Sequence, residues 1–192
     1  MKARLLGCVL ILGLGLFGQS RSEEVRLQPG SKLWIEGNST LHAWSAEARQ
    51  LLLTASAKPS ETPLRWDISS LTLRIPVRGL SSGKKGLDEN MWEDLKAERY
   101  PEIVFRLKEY RLSGQATAEG ATVQVEGWLT VAGTEKPVSF PVAWSVQGDR
   151  IRIRGSTELR MTDFGIKPRT FMAFMKVDNR VVVHFDCLFE IR

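Results

Sequence analysis

The sequence predicts an all-β fold, an antiparallel eight-stranded barrel with one short helix near residues 88–98. Three features carry that expectation. Apolar side chains recur at every second position along most of the chain, the spacing of a strand with one buried and one wetter face. Glycine, asparagine, aspartate and serine interrupt these runs at short intervals. A single segment changes from a period of two to helical spacing. This many antiparallel strands in one domain must close into a barrel or divide into a sandwich, because open edges invite association.

In chain order, residues 1–22 stand apart. Lys2 and Arg4 precede an uncharged apolar run over 5–17, and Gly18, Ser20 and Ser22 follow as small residues. This is the pattern of a secretory signal peptide, with cleavage expected between Ser20 and Glu23. The run has 13 residues, fewer than the roughly 20 of a spanning helix. A single mature domain is therefore expected over 23–192, periplasmic or secreted, with no transmembrane segment after cleavage. Gly13, Gly15 and Gly18 match the dinucleotide fingerprint by letters. No strand precedes them and no acidic partner follows at the required distance.

Strands are expected over 31–36, 41–48 and 51–57. Leu71, Leu73, Ile75 and Val77 then alternate with Thr72, Arg74 and Pro76. Asp88 is placed to cap a helix over 89–97, with Met91, Trp92 and Leu95 on one face. Glu93 and Asp94 are read toward its start and Lys96 and Arg99 near its end, in keeping with the helix dipole. Tyr100-Pro101 stops it and favours an extended continuation. Alternation resumes at Ile103, Phe105 and Leu107, and a strand is expected over 122–131. It continues through Val138, Phe140, Val142, Trp144 and Val146, then Ile151 and Ile153, then Val181, Val183, Phe185, Cys187 and Phe189. Breaks are expected at Gly37-Asn38, Gly79, Gly114, Gly120, Gly133 and Gly148-Asp149.

Charge and cysteine content remove several function classes. Setting 1–22 aside removes Lys2, Arg4 and Arg21 but no acid, leaving 24 basic and 22 acidic residues. No basic stripe remains, so nucleic acid is not an expected partner. Cys187 is then the one cysteine, so the fold must stand on packing. His42, His184 and Cys187 lack the spacing of a metal site. No G-x-S-x-G elbow accompanies His42, and Asp163-Phe164-Gly165 lacks the other kinase motifs. That tripeptide reads as a strand-end turn, with Gly165 in an unusual dihedral. No catalytic residue, metal or cofactor is expected, and the chain is not expected to be an enzyme.

Four stretches carry more specific information: GNSTLHAWSAEA (37–48), IPVRGLSSGKKGLDENMWEDLKAERYPEIVFRL (75–107), TVAGTEKPVSFPV (130–142) and GSTELRMTDFGIKPRTFMAFMKVDNRVVVHFD (155–186). In content and order they resemble the YceI-like family of exported bacterial proteins. The resemblance implies an extended lipocalin-like barrel with a helix against one end. It also implies a hydrophobic tunnel for a long isoprenoid or similar lipid, and no catalysis. The chain departs from the family pattern at Trp44, where many members carry a smaller or polar residue. Arg169 stands where a second proline often follows Pro168, and Phe171, Met172, Phe174 and Met175 are bulkier than the pattern.

The expected ligand-binding residues are His42, Trp44, Trp92, Phe105 and Lys84. His42 is read as a polar contact at the pocket mouth, and Trp44 shares its strand parity. Trp92 lies on the helix that would close one barrel end, and Phe105 lies on the strand after it. Lys84, beside Lys85, would meet an anionic headgroup by charge. The expected function is a non-catalytic protein holding a hydrophobic small molecule or lipid, with oligomeric state left open, a dimer included. The alternative is a ligand-free envelope interaction or structural module with a solid core. A hollow interior favours the first and a filled one the second.

Overall fold

The computed structural model describes residues 22–117, 120–171 and 175–192. The expected signal peptide, except Ser22, lies outside them, as do Met172 and Phe174. Twelve strands are present among the described residues. They are β1 (Glu23–Leu27), β2 (Lys32–Ser39), β3 (Ala43–Ala48), β4 (Leu52–Pro59), β5 (Trp66–Pro76), β6 (Leu80–Ser81), β7 (Glu102–Leu112), β8 (Ala121–Val131), β9 (Thr134–Gln147), β10 (Arg150–Arg160), β11 (Thr170–Phe171) and β12 (Met175–Ile191). One α-helix among the described residues, α1 (Lys85–Asp94), joins β6 to β7.

These segments fill eight positions of a closed antiparallel ring. The long β12 pairs with β10 on one edge and with β2 and then β1 on the other. β1 and β2 thus share one ring position, broken at 28–31. Ser31 mends the break: its hydroxyl donates to Gln28 O (2.8 Å) and accepts from Leu188 N–H (3.0 Å). β3 pairs with β2 and β4 with β1, so they share the next position. β6 pairs with β3 and β5 with β4, which makes a third divided position. β7, β8, β9, β10 and β12 complete the circle. The eight-stranded barrel is therefore as expected, although β1 was not foreseen. Its five residues hold only Val25 and Leu27 as apolar side chains, too little alternation to stand out.

Apolar packing concentrates at the two ends. Val25, Ala57, Leu64, Val123, Ile151 and Ile191 are buried at the end bearing the β4–β5 and β9–β10 connections. Val77, Leu80, Leu95, Phe164 and Ile166 are buried at the helix end. Between them, inward residues such as Ile35, Leu73, Phe105, Phe140 and Val183 are only half-buried. An inward side chain in a filled core would be buried, so the middle of the barrel is hollow.

Two local expectations need correction. The helix starts at Lys85, and its cap residue Lys84 makes no side-chain capping bond. Asp88 sits in the first turn, where it is buried. Its carboxylate accepts from Ser81 Oγ (2.8 Å), Ser82 N–H (2.6 Å) and Ser82 Oγ (2.6 Å), donors that outcompete the helix amides for it. The helix ends in a Schellman motif, with Lys96 N–H donating to Glu93 O and Ala97 N–H to Trp92 O, both 2.9 Å. Lys96 takes the left-handed position at φ 55°. Glu93 and Asp94 therefore stand at the C-terminal end, where the dipole opposes them. Gly37-Asn38 is not a break but part of β2. The Met161–Phe164 turn does place Gly165 at φ 68°, with Phe164 buried.

Candidate functional site

The hollow middle is a tunnel of about 370 Å³. Its wall is built from alternate residues of the ring strands, including Leu71 and Leu73 of β5, Ile103 and Phe105 of β7, Phe140 of β9 and Val183 of β12. Most polar side chains on the wall gather at the helix end, Ser39, His42, Asn90, Asp94, Arg160 and Arg169, while Thr157 lies in mid-barrel beside Val183 and Tyr110 at the far end. The interior can thus surround an apolar chain and offer polar contacts at one mouth.

Three glycines keep the lumen open. A Cβ at Gly37, Gly127 or Gly155 would come within 3.0 Å of the ring of Trp44, Phe105 or Phe185 respectively. Each ring therefore lies down on a glycine of the neighbouring strand instead of projecting across the tunnel. At the end away from the helix, Tyr110 stacks on Trp144 at 6.0 Å. Its hydroxyl donates to Asp67 (2.9 Å) and accepts from Ile68 N–H (2.8 Å). Burial chiefly pushes that phenol up to about 12. Burial likewise pushes the Cys187 thiol up to about 12, and the thiol points to Lys32 O at 3.8 Å. The indole N–H groups of Trp44 and Trp144 are buried without an acceptor among the described residues.

Arg169 ties the mouth together. Its Nε lies 2.7 Å from both Asp94 carboxylate oxygens, and Nη2 donates to Glu93 at 2.7 Å. Nη1 donates to Asn90 Oδ1 at 3.1 Å. Hydrogen bonds to Asp94, then to Glu93, raise the guanidinium above its ordinary value. This clasp neutralises the two acids at the unfavourable end of α1 and fastens the helix to the segment before β11.

Of the residues expected to bind a ligand, His42, Trp44 and Phe105 lie on the tunnel wall. His42 belongs to the β2–β3 turn, where its N–H donates to Ser39 Oγ (3.2 Å) and its ring is exposed at the mouth. Trp92 is not on the wall. Its indole donates to Leu80 O (3.0 Å) under the Arg78 guanidinium, which wedges α1 against the barrel. Lys84 is also outside the tunnel and borders a separate groove on the outer face. Helical spacing could not say which of Met91, Trp92 and Leu95 faces the lumen; Met91 and Leu95 do. His184 faces outward, stacked on Trp34 at 5.0 Å and bonded to Glu36 at 3.1 Å. Arg169 was visible in the sequence only as a departure from a proline pattern. Nothing there paired it with α1.

Comparison with known proteins agrees with this architecture. The YceI-like domain model matches residues 39–189. A UPF0312 protein of Pseudomonas putida strain GB-1 is 26% identical over 175 residues, 82% of this chain and 85% of that protein. Among solved structures, BcnA of Burkholderia cenocepacia is similar with a TM-score of 0.65 at 18% identity, over 82% of this chain and 95% of that one. A polyisoprenoid binding domain from Saccharophagus degradans gives 0.62 at 11% identity, over 88% and 98%. The Campylobacter jejuni YceI protein gives 0.55 at 14% identity, over 73% and 82%. With the family model spanning most of the chain and the barrel shared with these structures, this chain belongs to the YceI-like domain family.

Proposed function

We propose that the protein is a non-catalytic carrier or sequestering protein that holds a long isoprenoid or similar lipid in its barrel, on the periplasmic or extracellular side of the membrane. The observation that carries this reading is the hollow apolar lumen. Its 370 Å³ falls in the range of about 300–1,000 Å³ usual for ligand pockets. The Saccharophagus degradans neighbour, a polyisoprenoid binding domain, supports the same class of ligand. The signal-peptide pattern of 1–22 supports export. The mechanism is burial: each methylene moved from water into the tunnel contributes about 0.8 kcal/mol. The polar residues at the mouth then orient the molecule. The hollow middle weighs against a solid-core interaction module.

Val183→Trp tests the reading. Val183 is a half-buried wall residue in mid-barrel. In a filled core, such a substitution costs about 1–3 kcal/mol. In an empty tunnel it occupies space the ligand needs. The expected result is loss of prenyl-lipid binding with a melting temperature close to the parent. A melting temperature well below the parent, with binding unchanged, would overturn the reading.

A further inference from the structure

We propose that the groove on the outer face of β2 and β3 is a headgroup site. In this view the seam between β3 and α1 admits the tail of a single-chain lipid with an anionic head. The proposal rests on the tunnel reading above and adds the ligand's polar end and its route of entry.

The seam follows from the strand pairing. Among the described residues, the edge of β3 away from β2 has a strand neighbour only at Glu47 and Ala48, which pair with β6. Over 43–46 that edge has no ladder, and Leu87 of the first turn of α1 lies there instead. The groove measures about 500 Å³. Trp44 and Leu87 are the two residues its lining shares with that of the tunnel. The linings of the tunnel and the groove therefore meet at Trp44 and Leu87, on a stretch that no hydrogen-bonded ladder among the described residues closes. Trp44 is also held at a cost that opening relieves, because its indole N–H is buried without an acceptor among the described residues.

The groove has the chemistry of an anion site. Lys84 and Arg180 stand on it, with Asn38 and Ser45 as neutral donors; the Ser82 hydroxyl, which also lines it, donates to Asp88. Lys84 is exposed and forms no ion pair among the described residues. Arg180 is shared with Glu158 at 3.2 Å across an exposed contact, worth little in water. Glu36, the one acid on the groove among the described residues, already accepts from Trp34 Nε1 and bonds the His184 ring, each at 3.1 Å. An unneutralised ammonium beside hydroxyl and amide donors suits a carboxylate or phosphate on a lipid whose tail passes between Trp44 and Leu87.

The test uses cis-parinaric acid, a fluorescent chain with a carboxylate head, and its uncharged methyl ester. Lys84→Glu combined with Arg180→Glu is expected to weaken the acid by about tenfold, the worth of roughly one charge-assisted contact. It should leave the ester unchanged. Leu87→Trp is expected to slow association of both probes without abolishing binding. Equal loss for acid and ester in the charge variant would overturn the headgroup site. An unchanged association rate in Leu87→Trp would overturn the seam. Either failure leaves the tunnel reading standing if Val183→Trp still abolishes binding of both probes. If Val183→Trp abolishes neither, the tunnel reading itself has failed.

Discussion

Replacing Arg169 with methionine should loosen the helix end of the barrel by about 2 kcal/mol. The clasp joins Arg169 to Asp94, Asn90 and Glu93. Its members are unequal. Glu93 is 76% exposed, so its contact contributes little. Arg169 and Asp94 are 24% and 30% exposed, and their contact places Nε 2.7 Å from each carboxylate oxygen. A partly buried charged contact of this kind is worth about 2 kcal/mol. Methionine keeps the apolar stem but removes the fork, which leaves Glu93 and Asp94 uncompensated at the negative end of α1. At about 2–4 °C per kcal/mol for a domain of this size, the melting temperature should fall by roughly 4–8 °C. Arg169→Lys, which keeps charge without the planar fork, should recover less than half of the loss. Thermal unfolding followed by circular dichroism measures both. A shift under about 1 °C in the methionine variant would show that the clasp carries no weight in the fold. It would mean that Met91, Leu95 and Trp92 hold the helix without help.

Other expectations follow from single features. In a series of linear prenyl or alkyl alcohols, affinity should rise about fourfold per added methylene until the tunnel is full; a flat series by fluorescence competition contradicts burial as the driving force. Lys96→Gly should stabilise the fold by roughly 0.5–1 kcal/mol, since it removes a side chain from a left-handed position, and denaturant midpoints would show it. Two carboxyls, one buried and one half-buried, contribute most to the acid limb of stability, the third lowered one, Glu109, being exposed. Burial pushes Asp88 up, but hydrogen bonds from Ser82 and Ser81 outweigh it and hold Asp88 below its ordinary value. Arg152 holds Asp186 down in the same way. Folded values below unfolded ones give stability that is present above about pH 4 and lost as pH falls through the folded values. The melting temperature should therefore be level from neutral pH to about 5 and drop below about 4, with no drop contradicting the assignment. The buried Cys187 thiol should resist iodoacetamide at pH 8 in the folded protein and react on unfolding, as mass spectrometry would register.

The strands were legible because alternation is a local property. Val138 through Val146 and Val181 through Phe189 display it over many residues, and both runs are ring strands. What sequence could not show is that β1 with β2, β3 with β4, and β5 with β6 each share one place in the ring. That depends on the partner across the ladder. The helix was found but set too late in the chain. An aspartate before a helical run reads as a cap, yet Asp88 spends its oxygens on Ser81 and Ser82. Gly37 was read as a turn because glycine usually is one; here it receives the ring of Trp44. Hollowness itself was not legible, because a solid core and an apolar tunnel use the same inward residues. The wall positions of Trp44 and Phe105 follow from strand parity, whereas that of His42 depends on the β2–β3 turn and the outward place of Trp92 on which side of α1 meets the barrel.

Native mass spectrometry of detergent-free protein, after incubation with a cell-envelope lipid extract, tests the lipid-holding tunnel most directly. The expected result is a discrete added mass, released as a prenyl or other long-chain lipid on denaturation and absent from Val183→Trp. A clean apo mass in both proteins, at lipid concentrations that saturate related barrels, would contradict it.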